Sequence, residues 1–333
     1  MGSDMRMARR TGMLPAFFAA AAAVLALSAA AHAQATSLDQ LTSAVVRIKT
    51  HINPDARTIE NLGRDREGSG IVIDQSGLIL TIGYLMVEAY AAEIITHDGR
   101  TVPANIVGYD HESGFGLLRT VEPFRHKPLS LGKSGDVKKG DQAILIGGGG
   151  QVAPVRIAST REFAGSWEYL LDDAIFTSPP QTPWSGAALV SREGKLLGVG
   201  SLIVPDAGDG APGNMFVPID RLAPVLGDML SDTRSDGARP WLGLNTNEVA
   251  GRLLVTKVTP QGPAEKAGVV RGDVVVGING ERATSLADFY RKLWAQGRAG
   301  AVIPLDLERG GSEKRIGIPS IDRLDHLKLK STF

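Results

Sequence analysis

The chain has 333 residues, of which 43% are apolar and 22% are charged, and its 36 basic residues balance its 36 acidic ones. This composition is typical of one or two globular domains. No basic block indicates a nucleic-acid partner. The absence of cysteine excludes disulfides, thiol catalysis and cysteine-ligated metals.

The N-terminal segment has the three parts of a secretory signal peptide. Basic residues up to Arg10 precede an apolar run over 13–30, and Ala31-His32-Ala33 matches a small-x-small cleavage site. We therefore expect a signal peptide over 1–33, a periplasmic protein, and no integral membrane segment after cleavage. Cleavage would remove three arginines and one aspartate, leaving 33 basic and 35 acidic residues. The alternative is an uncleaved anchor, since the apolar run is close to spanning length.

Short strands separated by turns are predicted from Ser43 to about Ile203. The stretch SAVVRIKT alternates apolar and polar residues, which is the period of a half-buried strand. Asp98-Gly99 and Glu193-Gly194 each stand between two strand-like runs, as hairpin turns do. Many short strands at this spacing favour an all-β barrel or sandwich. The run Gly147–Gly150 has no Gly-Lys-Ser/Thr after it, so we interpret it as a flexible turn and not a phosphate loop.

Helical periodicity in this half of the chain is confined to the stretch IDRLAPVLGDML. Its apolar residues at the helical spacing predict one shared face, formed by Leu222, Val225, Leu226 and Leu230. The following stretch, SDTRSDGARP, is polar, charged and punctuated by glycine and proline. We interpret it as a linker.

Beyond the linker the sequence predicts a small domain with strands near 251–258 and 273–278. A helix is expected to begin at Ser285, whose hydroxyl can cap the N–H of Asp288 while Asp288 answers in a variant capping box. Apolar residues then recur at i, i+3 and i+4 spacing, which predicts a buried face. They are Leu286, Phe289, Tyr290, Leu293 and Trp294.

Motifs along the chain resemble the HtrA/Deg family of trypsin-like serine proteases. They are, in order, GSGIVIDQSGLILT, VGYDHESGFGLLR, PWSGAALVSREGKLLGVGS and MFVPID. The later stretches WLGL, VTKVTPQGPAEKAGVVRGDVVVGINGE and SLADFYRKL resemble the PDZ domain that follows the protease in that family. The resemblance implies a mostly β protein: a trypsin-like double β-barrel over 37–231, a linker over 232–239, a PDZ domain over 240–320 and a tail over 321–333.

The resemblance places Ser185 at the position of the nucleophile, but its catalytic partners are replaced. Tyr84, in LTIGYLMV, stands where the family has its histidine, and Gly114, in GFGLL, stands where it has its aspartate. Pro183 occupies the position two residues before the serine. In the family this position donates one N–H of the oxyanion hole, and proline has no N–H to donate. A tyrosine, with a pKa of about 10, is protonated at neutral pH and is not the base that a serine needs.

These replacements predict an inactive relative, or pseudoprotease, that serves as an adaptor, subunit or regulator of an envelope protein complex. One alternative is an active serine endopeptidase with unorthodox residues, in which His111 approaches Ser185 from a neighbouring loop. Another is a chaperone-like binder of unfolded chains. His51, His97, His126 and His326 show no metal-ligand spacing, so we expect no metal, and we expect no cofactor.

The PDZ-like half retains the features that its binding function needs. The resemblance implies that it holds partner proteins or peptide C-termini, with the terminal carboxylate on backbone N–H groups. Trp241-Leu242-Gly243-Leu244 matches the carboxylate loop, and its two leucines are expected to line the pocket for the last side chain. The helix beginning at Ser285, with Phe289 and Leu293, is expected to form the other wall.

Overall fold

The computed structural model describes residues 1–2, 37–122, 127–231 and 237–329, so nearly all of the predicted signal peptide lies outside the described residues. From Leu38 onward the chain forms one compact unit. Within the described ranges, no helix is long and apolar enough to cross a membrane.

The first strands close into an antiparallel barrel. They are β1 (Val45–Ile52), β2 (Asp65–Val72), β3 (Leu78–Ile82), β4 (Ala89–Ile95), β5 (Thr101–Tyr109) and β6 (Phe115–Thr120). Their order around the barrel is β1-β2-β3-β6-β5-β4. The predicted turn at Asp98-Gly99 joins β4 to β5, with Gly99 at a φ of 82° that glycine adopts without strain.

A second antiparallel barrel follows. Its strands are β7 (Gln142–Gly147), β8 (Gln151–Gly165), β9 (Tyr169–Ser178), β10 (Ala188–Ser191), β11 (Leu196–Gly208) and β12 (Ala211–Pro218). Their order is β10-β11-β12-β9-β8-β7. The glycine run predicted as a turn joins β7 to β8, and Glu193-Gly194 lies in the turn between β10 and β11. The predicted all-β character of this half is therefore confirmed.

One buried apolar cluster joins the two barrels. Leu80 and Phe115 from the first barrel belong to the same buried cluster as Phe176 and Val199 from the second. Burial of these side chains is the main source of stability at this junction, because apolar burial contributes roughly 25 cal/mol per Å². At this junction the Ser69 N–H of β2 donates to the carbonyl of Ser185, in the turn before β10, at 2.8 Å. Tyr84, which follows β3, contacts Ser185 there.

This half of the chain also contains short helices. They are α1 (Leu38–Ser43), α2 (Ile59–Leu62) and α3 (Leu222–Ser231). In α3, Leu222 and Met229 are buried, and Val225 and Leu226 pack against the core. The prediction that Leu230 shares this face is wrong, since it is 45% exposed and Met229 takes the inner position instead.

The C-terminal domain is an antiparallel sheet with short helices. Its elements are β13 (Leu244–Val249), β14 (Arg252–Val258), α4 (Pro263–Lys266), β15 (Val274–Ile278), β16 (Glu281–Arg282), α5 (Leu286–Trp294), β17 (Val302–Arg309) and β18 (Ser312–Pro319). The sheet order is β13-β14-β15-β17-β18, with β16 paired to β15.

The predicted start of α5 is confirmed, with one change in its capping. The Ser285 hydroxyl accepts a hydrogen bond from the N–H of Asp288 at 3.1 Å, as an N-cap does. The carboxylate of Asp288 reaches back to the N–H of Thr284 at 2.8 Å and not to that of Ser285. The reciprocal bond of the capping box is thus shifted by one residue.

The segment predicted as a tail begins with a further helix, α6 (Arg323–His326). Beyond it, the N–H of Lys328 donates to Glu88 at 2.6 Å, and the Asn53 amide donates to the carbonyl of Lys328 at 2.9 Å. The described part of this segment is therefore held on the first barrel, while residues 330–333 lie outside the described residues.

Candidate functional site

A cleft of about 550 Å³ lies at the junction of the two barrels and contains Ser185. Tyr84 enters it from the short 3₁₀ turn Gly83–Leu85 that follows β3. Ser185 enters it from the turn that precedes β10, together with Pro183 and Trp184. The structure therefore brings the predicted nucleophile position and the predicted histidine position together.

Tyr84 makes two hydrogen-bond contacts inside the cleft. Its hydroxyl oxygen lies 2.8 Å from the Ser185 Oγ and 2.8 Å from the carbonyl oxygen of Ser201. A phenol has one proton and a carbonyl can only accept. When the Tyr84 proton is donated to Ser201, the Ser185 hydroxyl is left to donate its own proton to the Tyr84 oxygen.

The charge state of Tyr84 follows from its burial. Burial raises the pKa of Tyr84 to about 12, although the hydrogen bond to Ser185 pulls in the opposite direction. The phenol is therefore neutral at physiological pH. A neutral phenol oxygen is a very weak base, so this contact does not remove the proton of Ser185.

Gly114 lies at the predicted aspartate position in a backbone conformation that suits glycine. Its φ is 85°, and its carbonyl accepts a hydrogen bond from the N–H of Gly83 at 2.7 Å. A Cβ at this position would lie 3.1 Å from the hydroxyl oxygen of Tyr169, which donates to the carbonyl of Ser113 at 2.7 Å. An aspartate here would therefore meet backbone strain as well as crowding.

Pro183 lies against the start of the glycine turn between β7 and β8. A Cβ on Gly147 would come within 2.8 Å of the Pro183 ring, so the two residues are in close contact. Proline has no backbone N–H, and no hydrogen-bond donor is available from this position. The turn itself is held by Gly186, whose N–H donates to Gly200 at 2.8 Å, and by Ser185, whose carbonyl accepts from Ser69 at 2.8 Å.

His111 does not line the cleft that contains Ser185. It is buried and lies beside Tyr109, with ring centroids 6.4 Å apart, and it lines a different, small cavity together with Glu168 and Trp241. The alternative in which His111 activates Ser185 is not supported by this placement. His126 lies outside the described residues.

The predicted carboxylate loop of the C-terminal domain surrounds a carboxylate of the chain itself. The N–H groups of Leu242, Gly243 and Leu244 donate to the side chain of Glu168, at 3.0, 2.7 and 2.7 Å. Glu168 lies at the tip of the β8–β9 hairpin in the second barrel. The role of this loop in binding an external carboxylate stays a prediction.

Other residues predicted to form the groove are buried. Phe289 and Leu293 are completely buried in the core of the C-terminal domain, so their side chains do not form an open wall. Tyr290, between them, faces the hairpin. Trp241 packs against the ring of His326, with centroids 5.0 Å apart.

Sequence reasoning did not identify Glu168 or Tyr290 as site residues. Burial raises the pKa of Glu168 to about 7, against the opposing effects of the N–H groups of the loop and of the positive charge of Arg323. The sequence carried one signal that was not used: the stretch FAGSWEYL is rich in aromatic and apolar residues, and the structure places its centre at the tip of the β8–β9 hairpin, where polar residues are usual.

Comparison with known proteins agrees with this architecture. Residues 68–199 match the model of the trypsin-like peptidase domain, and residues 240–319 match that of the PDZ domain. A solved structure described as the HtrA-type protease AlgW with decapeptide superimposes with a TM-score of 0.53 at 22% identity, covering 86% of this chain and 99% of that one. The chain therefore contains a trypsin-like peptidase domain followed by a PDZ domain.

Curated proteins similar to this chain are named as proteases. The periplasmic pH-dependent serine endoprotease DegQ of Escherichia coli is 28% identical over 268 residues, covering 75% of this chain and 58% of DegQ. The serine protease PepD of Mycobacterium tuberculosis is 28% identical over 299 residues, covering 80% of this chain and 64% of PepD. The chain thus spans less than two thirds of the length of either relative.

Proposed function

We propose that this chain is an exported HtrA-type pseudoprotease, which binds protein partners or peptide C-termini and acts as an adaptor, subunit or regulator of an envelope protein complex. The observation that carries the proposal is the contact between Tyr84 and Ser185. It puts a neutral phenol where a serine protease needs an imidazole base. The periplasmic relative supports the proposed location.

Two further residues support the loss of hydrolysis independently of Tyr84. Gly114 has no side chain with which to orient a base, and its φ of 85° disfavours an aspartate there. Pro183 cannot donate the N–H that the oxyanion hole takes from this position. Losing one such donor typically costs about 2.7–4 kcal/mol of transition-state stabilisation.

The names of the relatives favour a second candidate, an active serine endopeptidase that uses Ser185 with other partners. The two candidates predict different results in one assay. Fluorescein-labelled casein, an unfolded substrate, is incubated with the wild-type chain, with Ser185→Ala and with Tyr84→His at equal concentration, and hydrolysis is followed against buffer alone.

The proposal predicts that all three proteins give the rate of buffer alone. Tyr84→His stays inactive because Gly114 and Pro183 are unchanged, and catalytic residues that act as a unit recover little from a single reversion. A wild-type rate that Ser185→Ala removes would establish the endopeptidase instead. Efficient hydrolysis by Tyr84→His alone would show that Pro183 does not disable the oxyanion hole.

A further inference from the structure

The tip of the β8–β9 hairpin lies where a PDZ domain holds its ligand, between β13 and α5. The tip consists of Ser166, Trp167 and Glu168. We infer that it is an internal ligand of the PDZ domain, which keeps the groove closed to peptide C-termini until a peptide displaces it.

The carboxylate of Glu168 occupies the place of a terminal carboxylate. PDZ domains hold the end of a peptide in a nest of backbone N–H groups. Here that nest is formed by Leu242, Gly243 and Leu244, and all three N–H groups donate to Glu168 at 3.0 Å or less. A side-chain carboxylate offers these donors the same two oxygens that a chain terminus offers.

The backbone of the tip also pairs with the strand that would receive a peptide. The N–H of Thr246, in β13, donates to the carbonyl of Ser166 at 2.9 Å. Ser166 lies two residues before Glu168, so a strand contact and a carboxylate contact come from neighbouring residues of one segment. This combination is the binding mode in which an extended peptide adds to the edge of a sheet.

The helix side of the groove completes the contact. The hydroxyl of Tyr290, in α5, donates to the carbonyl of Gly165 at 2.7 Å and accepts from the N–H of Glu168 at 3.2 Å. Tyr290 is completely buried, and Leu170, just after the tip, belongs to the same buried cluster as the PDZ core. The tip is therefore enclosed by polar and apolar contacts together.

A tethered ligand competes at high effective concentration. An external peptide therefore displaces the tip only when its binding free energy exceeds that of the tethered tip. The competitor must carry a free carboxylate, because removing Glu168 without a replacement leaves three buried N–H groups unpaired. Part of the groove stays open beyond the tip, a space of about 330 Å³ lined by residues that include Asn247, Glu248 and Leu286. A peptide can make its first contact there.

This inference rests on the part of the proposed function that assigns peptide capture to the PDZ domain. The internal contact and peptide capture are tested separately. Amide exchange in the nest tests the contact with Glu168, and peptide binding tests capture. Glu168→Gln removes the charge with little change in shape, and Glu168→Ala removes the carboxylate. Glu193→Gln, an exposed carboxylate in the turn between β10 and β11, is the matched control.

Two measurements are made on the full chain. Hydrogen–deuterium exchange follows the backbone amides of Leu242, Gly243 and Leu244. Fluorescence anisotropy follows a labelled peptide, Ala-Gly-Ser-Trp-Leu, whose last residue is a free acid; the same peptide with an amidated end is the control. Thermal denaturation shows which variants are folded, and if Glu168→Ala does not fold, Glu168→Gln decides.

We expect both Glu168 variants to exchange these amides at least tenfold faster than the wild type and Glu193→Gln. The free-acid peptide should bind them at least tenfold more tightly, and the amidated peptide should not bind. Unchanged exchange in the Glu168 variants overturns the inference, whatever the titration gives. Faster exchange without peptide binding by any variant supports the internal ligand and instead refutes peptide capture by the PDZ domain.

Discussion

The cleft at Ser185 and the PDZ nest at Leu242–Leu244 are both contacted by groups from elsewhere in the chain, but the two contacts differ in kind. In the cleft, Tyr84 offers a neutral hydroxyl beside an open space of about 550 Å³. In the nest, Glu168 offers a buried carboxylate to three N–H groups. The cleft stays open and offers Ser185 a neutral phenol, whereas the three donors of the nest are already paired with Glu168. Under the proposed function, hydrolysis would require new side chains at the cleft, whereas peptide binding would require only the displacement of Glu168 from the nest.

The largest effect on stability is expected from the apolar part of the hairpin contact. Leu170 is 9% exposed and packs within the PDZ core cluster. Leu170→Ala should lower the free energy of unfolding by about 2–4 kcal/mol, because it leaves a cavity in addition to the lost burial. Urea denaturation measures this change. Leu230→Ala, at a position that is 45% exposed, is the control and should change it by less than about 0.5 kcal/mol. Equal effects would show that the hairpin is not packed on the PDZ domain.

A somewhat smaller effect is expected from pH. Burial raises the pKa of Glu168 from 4.5 to about 7, so the folded state binds a proton more tightly than the unfolded state does. Its contribution to stability is therefore complete below about pH 4.5 and is lost as pH rises through about 7. Relative to Glu168→Gln, the wild type should lose at most about 3 kcal/mol between pH 5 and pH 8.

Urea denaturation of both proteins at pH 5, 6, 7 and 8 checks this difference. Subtracting the variant cancels the contributions that the two proteins share, while burial raises the pKa of Tyr290, which contacts Glu168, so that this phenol stays neutral over the range. A difference that stays constant or grows with pH would show that the N–H groups of the nest outweigh burial.

The smallest effect is expected from the ion pairs at the hairpin surface. Arg291, in α5, pairs with Glu162 at 2.5 Å and also with Asp172, and all three side chains are substantially exposed. Arg291→Ala should cost less than about 1 kcal/mol, and the cost should fall in high salt. Arg252→Ala removes a comparable pair with Glu308 away from the hairpin. Peptide affinity should rise slightly for Arg291→Ala and stay unchanged for Arg252→Ala.

Much of this organisation could be predicted from the sequence because it depends on local patterns. Alternating apolar residues indicated the strands, Asp98-Gly99 indicated a hairpin, and Ser285 indicated the start of α5. The approach of Tyr84 to Ser185 was expected from motif order. These features depend on residues close in sequence or on a family arrangement that the motifs carry.

The occupied nest could not be predicted in the same way. It joins Glu168 to residues more than 70 positions later, and nothing in the local pattern indicates which loop a hairpin tip will meet. Glu168 also has a φ of 58°, a conformation that glutamate seldom adopts and that only its surroundings can impose. The buried face of α3 was predicted incorrectly for a related reason. Met229 and Leu230 are adjacent apolar residues, and the neighbours that α3 meets decide which of the two is buried.

The most direct test of the account is covalent labelling of Ser185. The wild-type chain and Ser185→Ala are incubated with a fluorophosphonate probe, which reacts with activated serines, and the adduct is measured by intact-mass spectrometry. Because Tyr84 is a neutral phenol, too weak a base to remove the proton of Ser185, the account predicts no adduct beyond the level of Ser185→Ala. Stoichiometric labelling of the wild type that is lost in Ser185→Ala would contradict it.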